Sequence, residues 1–262
     1  MIKTKSVLAV IQARGGSTGI PKKNIVELGE HPLIAYTIAA ALKSQYIDNV
    51  VVSTDCKIIA EIAMSYGAEV PFLRIPELAG DRVSSAESLK WFVERFEDET
   101  KHCYDVIIEL PPVAPFRTSW HVDQSLEKLV NTNADSVISV VNTGEKHPTR
   151  LKRIDGDLIS DFTKEFPEPK ISRRQDLDPC FIRNGAIYAM KHTTLFNTLS
   201  RRGAISRPLE MESQYSINID CEFDLLVARA LVKYGVCENR PCTIDSRVKK
   251  NFDNGATNES VG

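Results

Sequence analysis

Apolar positions along the chain fall into two alternating rhythms. The first is a set of short, unbroken runs: VLAVIQ (7–12), NVVVST (49–54), DVIIEL (105–110) and SVISVV (136–141). Runs of that length, rich in β-branched residues, read as strands buried on both faces. The second rhythm has a helical period. Residues 32–45 open with Pro32, suited to a first helical turn, and place Ile34, Ile38, Ala41 and Leu42 on one face. Residues 57–66, 84–97 and 121–131 are further helices. The clearest is 222–234, where Phe223, Leu226, Val227, Ala230, Leu231 and Tyr234 follow i, i+3, i+4, i+7, i+8, i+11. This alternation predicts an α/β fold in which helices cover a mostly parallel sheet.

Near residue 142 the alternation stops. HPTRLKRIDGDLISDF holds an Asp155-Gly156 turn between short apolar pieces, which predicts a hairpin excursion. PEPKISRRQD reads as an extended loop, and the sheet resumes at GAIYAM (185–190). Residues 245–262 are polar and are expected to be a disordered tail. The expected organisation is one domain over residues 1–240, with 142–180 as its excursion.

Composition narrows the classes. The chain has 262 residues, 42% of them hydrophobic, enough for a sizeable core. A formal net charge of −2 argues against electrostatic binding of a nucleic-acid polymer. The six cysteines form no C-x-x-C pair, which argues against structural zinc. No signal peptide is read, because the run after Lys3 and Lys5 is too short, and no segment reaches the ~20 apolar residues of a membrane span. A cytoplasmic protein with reduced thiols is expected.

The first candidate chemistry is QARGGSTGIPKKN (12–24), directly after the first strand. Glycines 15, 16 and 19 miss the G-x-G-x-x-G spacing of a dinucleotide fold, although Asp55 does end the second strand. No glycine precedes Lys-Ser or Lys-Thr, so a Walker loop fails too. What remains is a loop of backbone N–H groups with Arg14, Lys22 and Lys23, able to hold a polyphosphate. The plain alternative is a glycine turn with solvated lysines. Position favours a site: ligands of open α/β sheets bind beyond the carboxyl ends of the strands. Arg14, Asp55 and PPVAPFR (111–117) all follow strands and converge at that edge.

Two further segments carry candidates. Arg173, Arg174 and Arg183 in KISRRQDLDPCFIRNG (170–185) could bind a carboxylate bidentately, or form local surface ion pairs. Asp220, in SINIDCEFDL, sits just before the best helix, so it reads either as its N-cap or as a magnesium ligand.

These residues carry a resemblance. ARGGSTGIPKKN, LPPVAPFR, RRQDL…RNGAIY and SINIDCEFDL, in that order over about residues 5 to 235, resemble the motifs of the acylneuraminate cytidylyltransferases, the CMP-sialic acid and CMP-nonulosonate synthetases. The resemblance implies a three-layer, Rossmann-like nucleotidyltransferase fold with a mixed, mostly parallel sheet and an excursion that serves a homodimer. It implies Mg2+, CTP and an acidic nine-carbon 2-keto sugar. Arg14 and Lys23 would be catalytic. Ala13, Gly15, Gly16, Ser17, Asn24, Asp81 and Ser84 would join them around the nucleotide. Pro111, Arg117, Arg173, Gln175, Arg183 and Asn184 would lie near the sugar, and Asp220 with Asn218 would hold the metal.

Three positions depart from the family pattern. Thr18 replaces a lysine, Pro111 a glutamine, and Asn218 the first acid of D-I-D. They leave the sugar open among sialic, legionaminic and pseudaminic acids, and the nucleotide open between CTP and GTP. Two other classes stay in view. One is a nucleotide-sugar glycosyltransferase, whose D-x-D would have to be Asp155-Gly156-Asp157; the other is a non-catalytic nucleotide-binding protein.

Overall fold

A computed structural model describes residues 2–17, 19–78, 80, 83–168, 173 and 177–235. The expected tail, 245–262, lies outside the described residues. In chain order the elements are β1 (Val7–Gln12), a small hairpin of β2 (Glu27–Leu28) and β3 (His31–Pro32), α1 (Leu33–Leu42), β4 (Asn49–Ser53), α2 (Lys57–Ser65) and α3 (Ser85–Thr100). Next come β5 (Val106–Glu109), α4 (Ser119–Asn131), β6 (Ser136–Asn142), β7 (Lys152–Asp155) and β8 (Leu158–Asp161). The described chain ends with β9 (Phe181–Lys191), α5 (His192–Thr198), β10 (Ser206–Glu210) and α6 (Glu222–Lys233).

Six strands form the central sheet in the order β10-β6-β9-β5-β1-β4. β1 pairs parallel with both β4 and β5, and β10 with β6, whereas β9 runs antiparallel to β5 and β6. The start of β9 therefore lies at the same sheet edge as the ends of its neighbours. This is the mixed, mostly parallel sheet of a Rossmann-like fold.

Alternation along the strands builds the layers. Val7, Ala9 and Ile11 face a core with Ile34 and Ile38 of α1, Ile59 and Ile62 of α2, and Val122 and Leu126 of α4. Leu8 and Val10 face the opposite core, with Leu89, Phe92 and Phe96 of α3 and Leu195 of α5. A third cluster joins Leu225 and Ala228 of α6 to Ile20, Leu33, Phe116 and Ile219. It binds the last described helix to the loop after β1.

Local chemistry sets the ends. α3 starts at Ser84, whose hydroxyl accepts from the Glu87 amide at 3.1 Å. α4 begins two residues earlier than its apolar period suggests, because Thr118 and His121 cap each other's backbone. The excursion is the predicted hairpin: Asp155 pairs with Leu158 around Gly156, whose φ is +59°. β10 escaped the apolar pattern, since SRPLE buries only Leu209. As an edge strand it tolerates Pro208. No helix among the described residues is long and apolar enough to cross a membrane.

Phe92 is buried where α3 crosses the sheet. Phe92→Ala is expected to lower the unfolding free energy by about 3–5 kcal/mol, read as a lower denaturant midpoint at unchanged slope. A loss under about 1 kcal/mol would contradict this packing.

Candidate active site

The loop after β1 is fixed at several points. Its Ala13 amide continues the ladder to the Ser53 carbonyl at 2.9 Å. The Gly15 amide donates to Asp55 Oδ1 at 2.8 Å. Asp55 thus stands where a dinucleotide fold keeps its ribose acid, but here it holds the loop. A Cβ on Gly15 would lie 3.0 Å from Cys56 Cβ, so the glycine permits that close packing. Asn24 is buried and donates its amide to the Arg14 carbonyl at 2.9 Å, closing the loop on itself.

Gly19 makes the decisive approach. A Cβ there would sit 2.3 Å from the Asp220 carbonyl oxygen. The β1 loop and the strap before α6 therefore touch backbone to backbone, although far apart in sequence. The strap is also tied to the loop after β5, where the Ile219 amide donates to the Val113 carbonyl at 2.8 Å. Arg117 anchors that second loop. It is 0% exposed and donates to Thr37 Oγ1 at 2.7 Å and to the Pro111 carbonyl. Burial pushes its guanidinium down to about 9.

Across this contact Lys23 Nζ meets Asp220 Oδ1 at 2.8 Å. Lys23 is 16% exposed and Asp220 65%. The cap reading of Asp220 fails: the N-cap is Cys221, and Asp224 in the first turn completes a capping box, its Oδ2 accepting from the amides of Asp220 and Cys221, both at 2.9 Å. Those amides hold the Asp224 carboxyl below its usual range. Asp220 Oδ2 takes the Asn218 side-chain amide at 3.0 Å. Asn218 Oδ1 is buried and accepts no hydrogen bond. The exposed Asp220 carboxylate fits a hard divalent cation, and Asn218, which turns its NH2 to that carboxylate, would join as a ligand by turning its amide oxygen towards it. Among the described residues no cluster of three or more His, Cys, Asp or Glu gathers, so further ligands would come from phosphate and water.

These loops bound a cleft of about 410 Å³ at the carboxyl ends of β1 and β5. Arg14, Ser17, Lys23 and Asn24 line one side, and Pro111, Pro112 and Val113 another. The N-terminus of α3 adds Ser84, Ser85 and Ser88. Below them runs a polar row: Gln12, Arg74, Glu109 and Arg201. Glu109 is buried at the end of an apolar strand, and burial raises its pKa against the pull of Arg201, Gln12 and Arg74. Arg74 is buried on the Ser53 carbonyl at 2.8 Å, and desolvation is the main cause of its lowered pKa.

The family profile described as Cytidylyltransferase matches residues 8–195. The chain belongs to the cytidylyltransferase family. Among curated members, the N-acylneuraminate cytidylyltransferase of Streptococcus agalactiae is 31% identical over 84% of this chain and 51% of its own length. The chain thus spans about half of that relative. The CMP-N,N'-diacetyllegionaminic acid synthase of Legionella pneumophila is 33% identical over 87% of this chain and 96% of its own length. Among solved structures, a CMP:2-keto-3-deoxy-manno-octonic acid synthetase complexed with CTP shares the fold. It has a TM-score of 0.64 and 17% identity, and the match covers 87% of this chain and 99% of that one.

In this cytidylyltransferase-family chain Arg14, Ser17, Lys23, Asn24, Ser84 and Pro111 line one cleft, and Lys23 links it to Asp220 and Asn218. Ala13 is buried in the core, Gly15 packs on Cys56, and a Cβ on Gly16 would meet nothing within 4 Å. Arg117 and Asn184 lie inside the protein instead of facing the cleft. Asn184 accepts from Ser139 at 2.6 Å and donates to Ser216 at 2.9 Å, steadying the strap. Arg183 and Arg173 are exposed, outside the cleft lining. Asp81, Gln175, Arg174 and Thr18 lie outside the described residues. Asp155 and Asp157 sit on the exposed hairpin turn, away from the cleft lining, which removes the D-x-D of a glycosyltransferase. Gln12, Arg74, Glu109 and Arg201 went unread in the sequence. The one available signal was an acid at the end of a buried strand, which demands partners.

Gly19→Ala tests the backbone contact. Overpacking of this kind is expected to cost about 1–3 kcal/mol, seen as a lower melting temperature. Unchanged stability would mean that the loop and the strap do not meet.

Proposed function

We propose that this protein activates an acidic nine-carbon 2-keto sugar, sialic acid or a related nonulosonate such as legionaminic or pseudaminic acid, with CTP, giving the CMP-sugar and pyrophosphate. The observation that carries the reading is that Lys23 reaches Asp220 across 197 positions of sequence, at the mouth of a cleft it shares with Arg14. A cation pair beside an exposed carboxylate suits a triphosphate bound with a divalent metal. The relatives named for sialic and legionaminic acids support the sugar class.

The sugar's anomeric oxygen forms a bond to the α-phosphorus as the bond to the pyrophosphate oxygen breaks. The chain's task is positioning and charge stabilisation. Arg14 and Lys23 face the charge that grows on the α-phosphate and the leaving group. Asp220 and Asn218 would hold Mg2+, which supplies Lewis-acid stabilisation of phosphate oxygens when bound. Lys23 would exchange Asp220 for a phosphate oxygen when the nucleotide binds. No side chain is assigned as a general base. The exposed Arg173 and Arg183 are available to the sugar carboxylate.

The excursion, residues 142–180, we assign to a homodimer. Its hairpin exposes Ile154 at 75%, Leu158 at 76% and Ile159 at 71%, with Phe162 and Phe166 beside them. Apolar exposure on that scale suits burial against a second copy.

A pyrophosphate-release screen of CTP and GTP against several nonulosonic acids, with magnesium, tests the reaction. Release with CTP and at least one such acid is expected. Lys23→Ala should reduce turnover about 100- to 1,000-fold, or about 3–4 kcal/mol, with the fold retained. Near-normal turnover of that variant would overturn the assignment.

A further inference from the structure

The polar row beneath the cleft forms one continuous hydrogen-bonded chain. Arg201 Nη1 meets Glu109 Oε2 at 3.2 Å. Glu109 Oε1 accepts from Gln12 Nε2 at 3.0 Å, and the same amide reaches the Ser85 carbonyl at 2.9 Å. Gln12 Oε1 faces Arg74 Nη2 at 3.4 Å, and Arg74 continues to the Ser53 carbonyl. Arg201 also lies over the Tyr188 ring, with 4.2 Å to its centroid. The row thus crosses the ends of β5, β1 and β4 on the α3 side of the sheet. Each member is oriented by its neighbours, so the pattern of donors and acceptors it shows to the cleft is fixed.

Glu109 is the acceptor in that pattern. Both its oxygens receive donors, so both act as acceptors. Each carboxylate oxygen has about two acceptor positions, and one remains on each. Acidic side chains at the ends of buried strands need a reason, and the ladder does not require this one. A charged floor on a rigid sheet, beside the cations that would take a triphosphate, is placed to meet the base of that nucleotide.

We propose that Glu109, held by Gln12 and Arg201, determines nucleobase specificity by accepting a hydrogen bond from an exocyclic amino group of the base. The inference rests on the proposed use of a nucleoside triphosphate. Cytosine offers an amino donor where uracil offers a carbonyl oxygen. A carboxylate facing that oxygen sets acceptor against acceptor and excludes UTP. A site built around one hydrogen-bond partner rejects an analogue lacking it far more strongly than an apolar pocket can. Gln12 and Arg201 are positioning residues here, since they act through the carboxylate.

Direct binding of CTP and of UTP, by calorimetry without any sugar, tests this in wild type, Glu109→Gln and Arg201→Gln. The amide in Glu109→Gln can turn its NH2 towards the uracil oxygen. That variant is expected to lose at least about 10-fold of the preference for CTP over UTP. Arg201→Gln keeps the acceptor but removes one of the two groups that hold it, so its loss of preference should be smaller than that of Glu109→Gln. An unchanged ratio in Glu109→Gln overturns the proposal, as does a greater loss in Arg201→Gln than in Glu109→Gln. Should Glu109→Gln fail to fold, Glu109→Asp retains an acceptor and must still prefer CTP; indifference to the base would overturn it. The binding ratio is independent of turnover. A wild type that prefers CTP but releases no pyrophosphate with any nonulosonate would defeat the proposed function and leave this inference standing.

Discussion

The contact between Gly19 and the Asp220 carbonyl is the constraint on which the site depends. Only a residue without Cβ lets the loop after β1 lie against the strap before α6. Once they touch, Lys23 and Asp220 are brought within 2.8 Å. Leu225 and Ala228 press the helix behind the strap onto Ile20, so the contact has a hydrophobic backing. Cys221 and Asp224 form the capping box of that helix, so Asp220 is not needed as its cap. A single close approach therefore brings Asp220 to a lysine that lines the cleft.

The sheet supplies the rest of the geometry. Parallel strands put the ends of β1, β4 and β5 at one edge, and antiparallel β9 brings its first residues there too. The loops at that edge carry their own ties: Asp55 on Gly15, Asn24 on Arg14, and Arg117 on Pro111. Buried polar groups are costly unless bonded; buried Asn24 and Arg117 and half-buried Asp55 are each bonded to backbone. The floor follows the same rule with Arg201, Glu109, Gln12 and Arg74. A site held this way presents fixed dipoles to its ligand, which is what charge stabilisation requires.

Much of this was legible in the sequence. Unbroken apolar runs located β1, β4, β5 and β6, and helical periodicity located α1 to α4 and α6, because packing on the sheet imposes both patterns. β10 and α5 were not legible: one is a polar edge strand containing Pro208, the other a short helix after β9. The loop chemistry was half legible. Arg14 and Lys23 stood out by position, but the roles of Arg117 and Asn184 depend on burial, which no local pattern reveals. Whether Asp220 was a cap or a cleft-side acid could not be read until the backbone placed the N-cap one residue later, at Cys221. The floor was hidden because its members come from four separate segments and are joined only by side-chain bonds.

In the proposed reaction Lys23 is shared between Asp220 and a bound phosphate, and that competition is the centre of the account. It is tested most directly by the affinity for CTP of wild type and Asp220→Ala, with divalent metal chelated and then with magnesium present. Without metal, removing the carboxylate frees Lys23, and CTP should bind up to about fivefold more tightly, the worth of a partly exposed ion pair. With magnesium the order should reverse, because the variant has lost a ligand. Weaker binding by Asp220→Ala in chelator, or equal binding in both conditions, would contradict it.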